Sequence, residues 1–134
     1  MLNTVSLDTN IIVRLLVSDN PEACKKVLNL LDQKMSFVIS DIAISETIYV
    51  LENVYKKSRE EIVDLLNFFL TRFSDKVKYN RTLTAATFPF YLAHPKVSFN
   101  DCCLASYAEI DNAEPLMTFD KKLASQHPSA KLLA

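Results

Sequence analysis

Glycine is absent from all 134 residues. A Walker-type phosphate loop and a dinucleotide-binding fingerprint are thereby excluded, since both need glycine where backbone closes on phosphate. Turns and helix ends that would use glycine's freedom at positive φ must rely on Asn, Asp and Pro. Cysteine is scarce: Cys24, Cys102 and Cys103 form an odd set without CxxC spacing. That argues against an extracellular disulfide framework and for a reducing cytoplasm, with the thiols serving as small apolar residues in packed helices. No run approaches the ~18 apolar residues of a membrane span, so no membrane partner is expected. The N-terminus has no basic region followed by an apolar core, and secretion is not expected either.

Charge of one sign is lacking too. The formal net charge is −1, which is no signature of a general nucleic-acid binder. Contact with RNA or DNA would have to come from local clusters or bound cations. Lys56, Lys57 and Arg59 form one cluster, Lys121 and Lys122 another. Each reads equally well as a solvated helix end.

What is present is ordinary for a soluble globular protein: 49% hydrophobic and 23% charged residues. The length implies one domain, 1–134. "TVSL" (4–7) reads as a short buried strand and "NIIVRLLV" (10–17) has helical apolar spacing. Asn20 followed by Pro21 starts a second helix. "SFVIS" (36–40) is a second strand, and "DIAISETIYVLENVY" (41–55) a long helix. Ser58 and Glu61 form a capping box for a helix to about Arg72. "KVKY" (76–79) is a weak strand, and 80–93 reads as a helix that Pro89 should kink or split. Then come a helix over 98–110 with Ser98 as cap, a strand "PLMTF" (115–119), a short helix 120–126 and a last strand 130–134. The alternation implies α/β architecture, a parallel sheet with helices on both faces.

Four acids fall near strand-to-helix crossovers or helix starts: Asp8, Glu46, Asp101 and Asp120. In an open α/β sheet, ligands bind beyond the carboxyl ends of the strands. Taken singly, each Asp reads as a helix cap. Glu46 is too deep in its helix to cap, and Ile44, Ile48, Val50 and Leu51 flank it in sequence; a carboxylate buried there would need a partner, unless it sits at the helix margin and reaches water. If the four converge they cannot stay ionised without a counter-ion, because carboxylates ~5 Å apart repel by about 3 kcal/mol at a dielectric of ~20. Mg²⁺ or Mn²⁺ would resolve this, being hard cations that take oxygen ligands, and such a site suits phosphodiester hydrolysis without a covalent nucleophile.

"LDTNIIVRLL", "SETIYVLE", "SFNDCCLASYAE" and "LMTFDKKLA" together resemble the PIN-domain family, in particular its bacterial VapC-like branch, the toxin halves of type II toxin–antitoxin pairs. The resemblance runs from Asp8 to Asp120, in the family's order and approximate spacing. It implies a three-layer α/β/α, Rossmann-like fold with a central parallel sheet of four to five strands. It also implies a Mg²⁺- or Mn²⁺-dependent endoribonuclease. Carried over by motif, Asp8, Glu46, Asp101 and Asp120 are the catalytic and metal-holding quartet. Asn10 and Thr118 are expected to orient these acids through hydrogen bonds, and Arg14 is a candidate phosphate contact. Implied partners are an RNA substrate, a cognate antitoxin protein and a second copy in a homodimer. Two departures are visible: "HPKVSFND" precedes the third acid where the family tends to have small residues, and "CC" follows it. Neither removes an acid.

Other readings fit less well. A haloacid-dehalogenase-type phosphatase needs an acid where Asn10 stands, and a receiver domain needs a phosphoacceptor Asp after the third strand, which "KVKYNRT" lacks. An acid–base ribonuclease wants a histidine pair, whereas His94 and His127 both precede proline as helix-end residues. A non-catalytic PIN-like module that binds protein or RNA would be favoured by loss of an acid, and none is lost. A solitary RNA-processing nuclease differs from a toxin only in its partner.

Overall fold

Backbone caps chosen by the sequence set the element boundaries in the computed structural model, which describes residues 3–133. The chain divides into two compact units, Met1–Tyr79 and Asn80–Ala134.

The first unit runs β1 (Thr4–Ser6), α1 (Thr9–Val17), α2 (Pro21–Leu31), β2 (Ser36–Val38), α3 (Asp41–Asn53), α4 (Arg59–Arg72) and β3 (Val77–Lys78). Its strands form one parallel ladder in the order β1-β2-β3, with Val5 opposite Phe37 and Phe37 opposite Val77. Phe37, on the central strand, is fully buried. Helix α1 turns Thr9, Ile12 and Val13 inward, the i, i+3, i+4 stripe of an amphipathic helix. It packs against α2, α3 and α4. Asn20 caps α2 by accepting the Ala23 N–H at 3.1 Å, with Pro21 opening the helix as expected. At the other end, the Lys76 ammonium donates to the carbonyls of Leu31 at 2.6 Å and Gln33 at 3.2 Å. A cation there suits a helix C-terminus, and Leu31 is among the last carbonyls that the helix itself leaves open. The capping box of α4 is complete: Ser58 Oγ accepts from Glu61 N, and the Glu61 carboxylate accepts from Ser58 N. Those hydrogen bonds hold the exposed Glu61 carboxyl below its ordinary pKa.

The second unit runs α5 (Arg81–Ala93), α6 (Phe99–Ile110), β4 (Leu116–Thr118), α7 (Lys121–Gln126) and β5 (Ala130–Leu132). Helices α5 and α6 pack on one another through buried Phe88, Tyr91 and Phe99, with the Tyr91 and Phe99 rings edge-on at 5.5 Å. Strands β4 and β5 pair in parallel, Met117 opposite Lys131, and α7 makes the crossover. The last strand was expected to reach 134; Ala134 lies outside the described residues. Cys102 and Cys103 are buried and Cys24 half-buried, and none of the three is in a disulfide among the described residues.

Of the two outcomes expected of Pro89, a kink or a split, the split does not occur: α5 runs unbroken from Arg81 to Ala93. Proline removes one helical hydrogen bond, leaving the carbonyl of residue 85 without its donor. Ala85 and Pro89 are both exposed, so water can take the donor's place. All five expected strands are present among the described residues and every pairing is parallel, in a ladder of three strands in the first unit and of two in the second. The reversals of chain direction also work without glycine: Ser18, Lys56 and Asn112 hold the left-handed positions, at φ 57°, 53° and 55°.

Candidate functional site

In the first unit, Asp8 stands between β1 and α1 as the N-cap, its Oδ1 accepting the Thr9 N–H at 2.8 Å. The capping role foreseen for a lone acid is therefore real. It occupies one oxygen and leaves Oδ2 without a hydrogen bond among the described residues. Glu46 lies in the second turn of α3, and its Oε2 accepts from the Thr9 hydroxyl at 3.0 Å. Thr9 thus ties the two acids together, backbone to one and side chain to the other. It is itself 7% exposed, so its hydroxyl has little recourse to water.

Glu46 is exposed, not embedded among the apolar residues that flank it in sequence. Ile44 and Ile48 are two positions away on either side, which on a helix means the opposite face. They are buried while Glu46 points outward. The reading of a carboxylate at the helix margin, reaching water, is the one realised.

Thr9 was not singled out in the sequence. A signal existed: it falls on the same stripe as Ile12 and Val13, and a hydroxyl on a buried stripe needs a partner. Asn10, expected to orient the acids, is exposed on the first turn of α1 and makes no hydrogen bond to any of them among the described residues. Arg14 pairs with Asp19 at 3.2 Å on the surface.

In the second unit, Asp101 lies in the first turn of α6, partly exposed. Its backbone N–H goes to the capping Ser98 Oγ at 3.1 Å, and its carboxylate has no hydrogen bond or ion pair among the described residues. Asp120 caps α7, Oδ1 accepting from Leu123 N at 3.1 Å. Thr118 does engage this acid, though through the backbone: its Oγ1 accepts the Asp120 N–H at 3.0 Å. No hydrogen bond joins Asp101 to Asp120 among the described residues.

The histidines serve structure. His94 and His127 terminate α5 and α7, and both rings pack on Phe90, with centroids 3.8 and 4.4 Å away. His127 is buried, and its Nδ1 accepts the Ser129 N–H at 3.0 Å. Burial holds its pKa below the ordinary 6.5; Glu109 and Glu114 pull upward and His94 adds to the lowering.

The acids offer oxygen donors only, which suits a hard divalent cation. Each unit supplies a pair, and among the described residues no three His, Cys, Asp or Glu side chains are grouped to hold a metal ion.

No curated protein matches the chain. Among solved structures, VapBC2 from Rickettsia felis bound to a DNA fragment from their promoter is similar at 21% identity, with 97% of each chain covered and a TM-score of 0.40. A family model for the PIN domain matches residues 5–126, a span that takes in β2, β3 and β4, β1 from its second residue, and all four acids. The chain therefore belongs to the PIN domain family, an α/β fold whose members are generally nucleases that use divalent metal ions.

Proposed function

We propose that the chain is a single-domain, Mg²⁺- or Mn²⁺-dependent endoribonuclease with Asp8, Glu46, Asp101 and Asp120 as its catalytic acids. The observation that carries this reading is PIN membership with no acid lost, in the order and spacing of the motifs. When bound, the ion supplies charge neutralisation for the carboxylates and activation of the attacking water. The protein's own part is positioning. Thr9 holds Glu46 by its hydroxyl and Asp8 by its N–H, leaving one oxygen of each acid open. Asp101 projects a carboxylate with no hydrogen bond or ion pair among the described residues. Asp120, fixed by its cap bond and by Thr118, completes the set.

Water is the nucleophile in this reading. Its oxygen bonds to phosphorus, the P–O3′ bond breaks, and the 3′-oxygen leaves with a proton. The products are a 5′-phosphate and a 3′-hydroxyl. Single-stranded or loop RNA is the substrate class, because unstacked bases are what proteins reach on RNA. The test is incubation of the purified protein with structured RNA and Mg²⁺ or Mn²⁺, followed by mass analysis of the new ends. Cleavage should vanish with chelator and in Asp8→Asn and Asp101→Asn. A 2′,3′-cyclic phosphate, or cleavage that survives chelation, overturns the reading.

The likeness of the four motifs to the VapC-like branch supports the finer assignment: a cytoplasmic toxin that forms a homodimer and is held in check by a small antitoxin protein. No helix among the described residues is long and apolar enough to cross a membrane. Growth arrest on expression of the chain alone, relieved by co-expressing a small adjacent reading frame, is the expected result. Normal growth at high expression would favour a solitary processing nuclease instead.

A further inference from the structure

Glu46 does not stand alone on the outer face of α3. Ile42, one turn before it, is 70% exposed, and Tyr49, one turn after it, is 66% exposed. Large apolar side chains so open are individually common, but here two of them bracket an acid proposed for catalysis. On a helix, residues at i−4 and i+3 share the face of residue i. Long side chains lean toward the helix N-terminus, so the Tyr49 ring covers the turn that holds Glu46. Neither its ring nor its hydroxyl has a partner among the described residues; the one side chain that reaches it, Asn53, donates to its backbone carbonyl at 2.9 Å. Glu46 is meanwhile tied down on the other side by Thr9 at 3.0 Å.

We infer that Tyr49, with Ile42 beside it, is the stacking platform for an unpaired base of the RNA substrate next to the scissile phosphate. The inference rests on the nuclease reading above. Ile42 and Tyr49 each lie about one helical turn, ~5.4 Å along the axis, from Glu46, so a base next to a phosphate brought to Glu46 comes near them. At that distance α3 offers an aromatic face and an aliphatic side chain. Both suit a neutral base, and stacking on its face does not depend on which base it is, so the grip is tolerant of sequence. This answers how a chain of net charge −1 can hold RNA: part of the affinity comes from stacking and not from phosphate neutralisation. A second copy of the chain is the rival occupant. It would have to desolvate Glu46 in the middle of the patch, which is costly without a cation facing it.

The test uses a single-stranded RNA oligonucleotide labelled with aminopurine, whose fluorescence is quenched on stacking, titrated with the full chain in chelator. The wild type should quench it. Tyr49→Phe should keep both quenching and affinity, and Tyr49→Ala should lose quenching and bind about tenfold or more weakly. Equal quenching by Tyr49→Ala, or none by the wild type, overturns the inference. So does a Tyr49→Ala protein that changes from dimer to monomer by size and light scattering, which gives the face to a second copy. Metal-dependent cleavage, assayed separately, keeps the two readings apart: cleavage without quenching fails the platform alone, and quenching without cleavage fails the nuclease alone.

Discussion

Replacing Thr9 by valine separates what that residue does for the fold from what it does for the acids. The substitution removes one hydroxyl and keeps the branched shape on the buried stripe of α1. The lost hydrogen bond, 3.0 Å to Glu46, has a charged acceptor, a class worth about 1.5–3 kcal/mol when both partners are buried. Glu46 is exposed, however, and recovers water when the hydroxyl goes. Valine leaves no orphaned donor behind, so the net cost should fall to about 0.5–1.5 kcal/mol, or a drop of about 2–5 °C in melting temperature. Activity should suffer more. Removing a group that orients a metal-binding carboxylate typically costs about 10–100-fold. Cleavage rates at saturating Mn²⁺, alongside urea unfolding of the same preparations, give both numbers, and Thr9→Ser should restore most of the activity. Activity within about twofold of wild type would refute the positioning argument. A stability loss above about 3 kcal/mol would make Thr9 a core residue first.

Asp8→Asn should abolish cleavage yet leave the metal-free protein as stable or more so, because an amide oxygen still accepts the Thr9 N–H while one negative charge is gone; a large loss in melting temperature would return Asp8 to capping alone. His127 makes stability depend on pH. Its folded pKa lies below 6.5, so the unfolded chain binds the proton more readily; stability is complete above pH 6.5 and declines as pH falls toward the lowered value, by at most about 1.4 kcal/mol per pH unit. Urea midpoints between pH 7.5 and 5, as rough bounds, should show this slope, and His127→Gln should flatten it; identical slopes would contradict the buried neutral imidazole. Pro89→Ala should stabilise by about 1–3 kcal/mol, since it restores a helical N–H at an exposed position and proline is disfavoured in helix interiors by about 3 kcal/mol; a lower denaturation midpoint would mean that the ring makes packing contacts of its own. Ser58→Ala removes the hydroxyl half of the capping box, leaving the backbone N–H of residue 58 to the Glu61 carboxylate, and should lower the melting temperature by a few degrees, with cleavage unaffected.

Much of the fold was legible because its signals are local. Asn20–Pro21 and Ser58–Glu61 mark helix starts by side-chain chemistry, and the observed caps use those atoms. Ser98 likewise caps α6 as read. Long-range features were not legible in the same way. Nothing near Lys76 in sequence reveals that its ammonium closes α2 some forty-five residues earlier. Pro89 does not split α5, because the exposed carbonyl four residues earlier, left without its donor, can take one from water. Glu46 was weighed by its neighbours along the chain, whereas helical geometry puts the residues two positions away on the far side. The positions of the four acids within their elements follow the motifs. Which groups hold them follows only in part: Thr118 does engage Asp120, through its backbone, but Thr9 stands in the place expected of Asn10, a distinction that depends on which side of α1 faces α3.

The three left-handed residues carry a consequence for the glycine-free chain as a whole. A polypeptide without glycine samples fewer backbone states when denatured, so it surrenders less disorder on folding. The debt is local instead: Ser18, Lys56 and Asn112 sit where a β-carbon crowds the backbone, at about 1–2 kcal/mol each for ordinary side chains and less for Asn. Ser18 closes α1 and Lys56 follows α3, the two helices that Thr9 and Glu46 join. Evolution toward greater robustness thus has an untapped route at those corners, open to a single codon's change and remote from the chemistry.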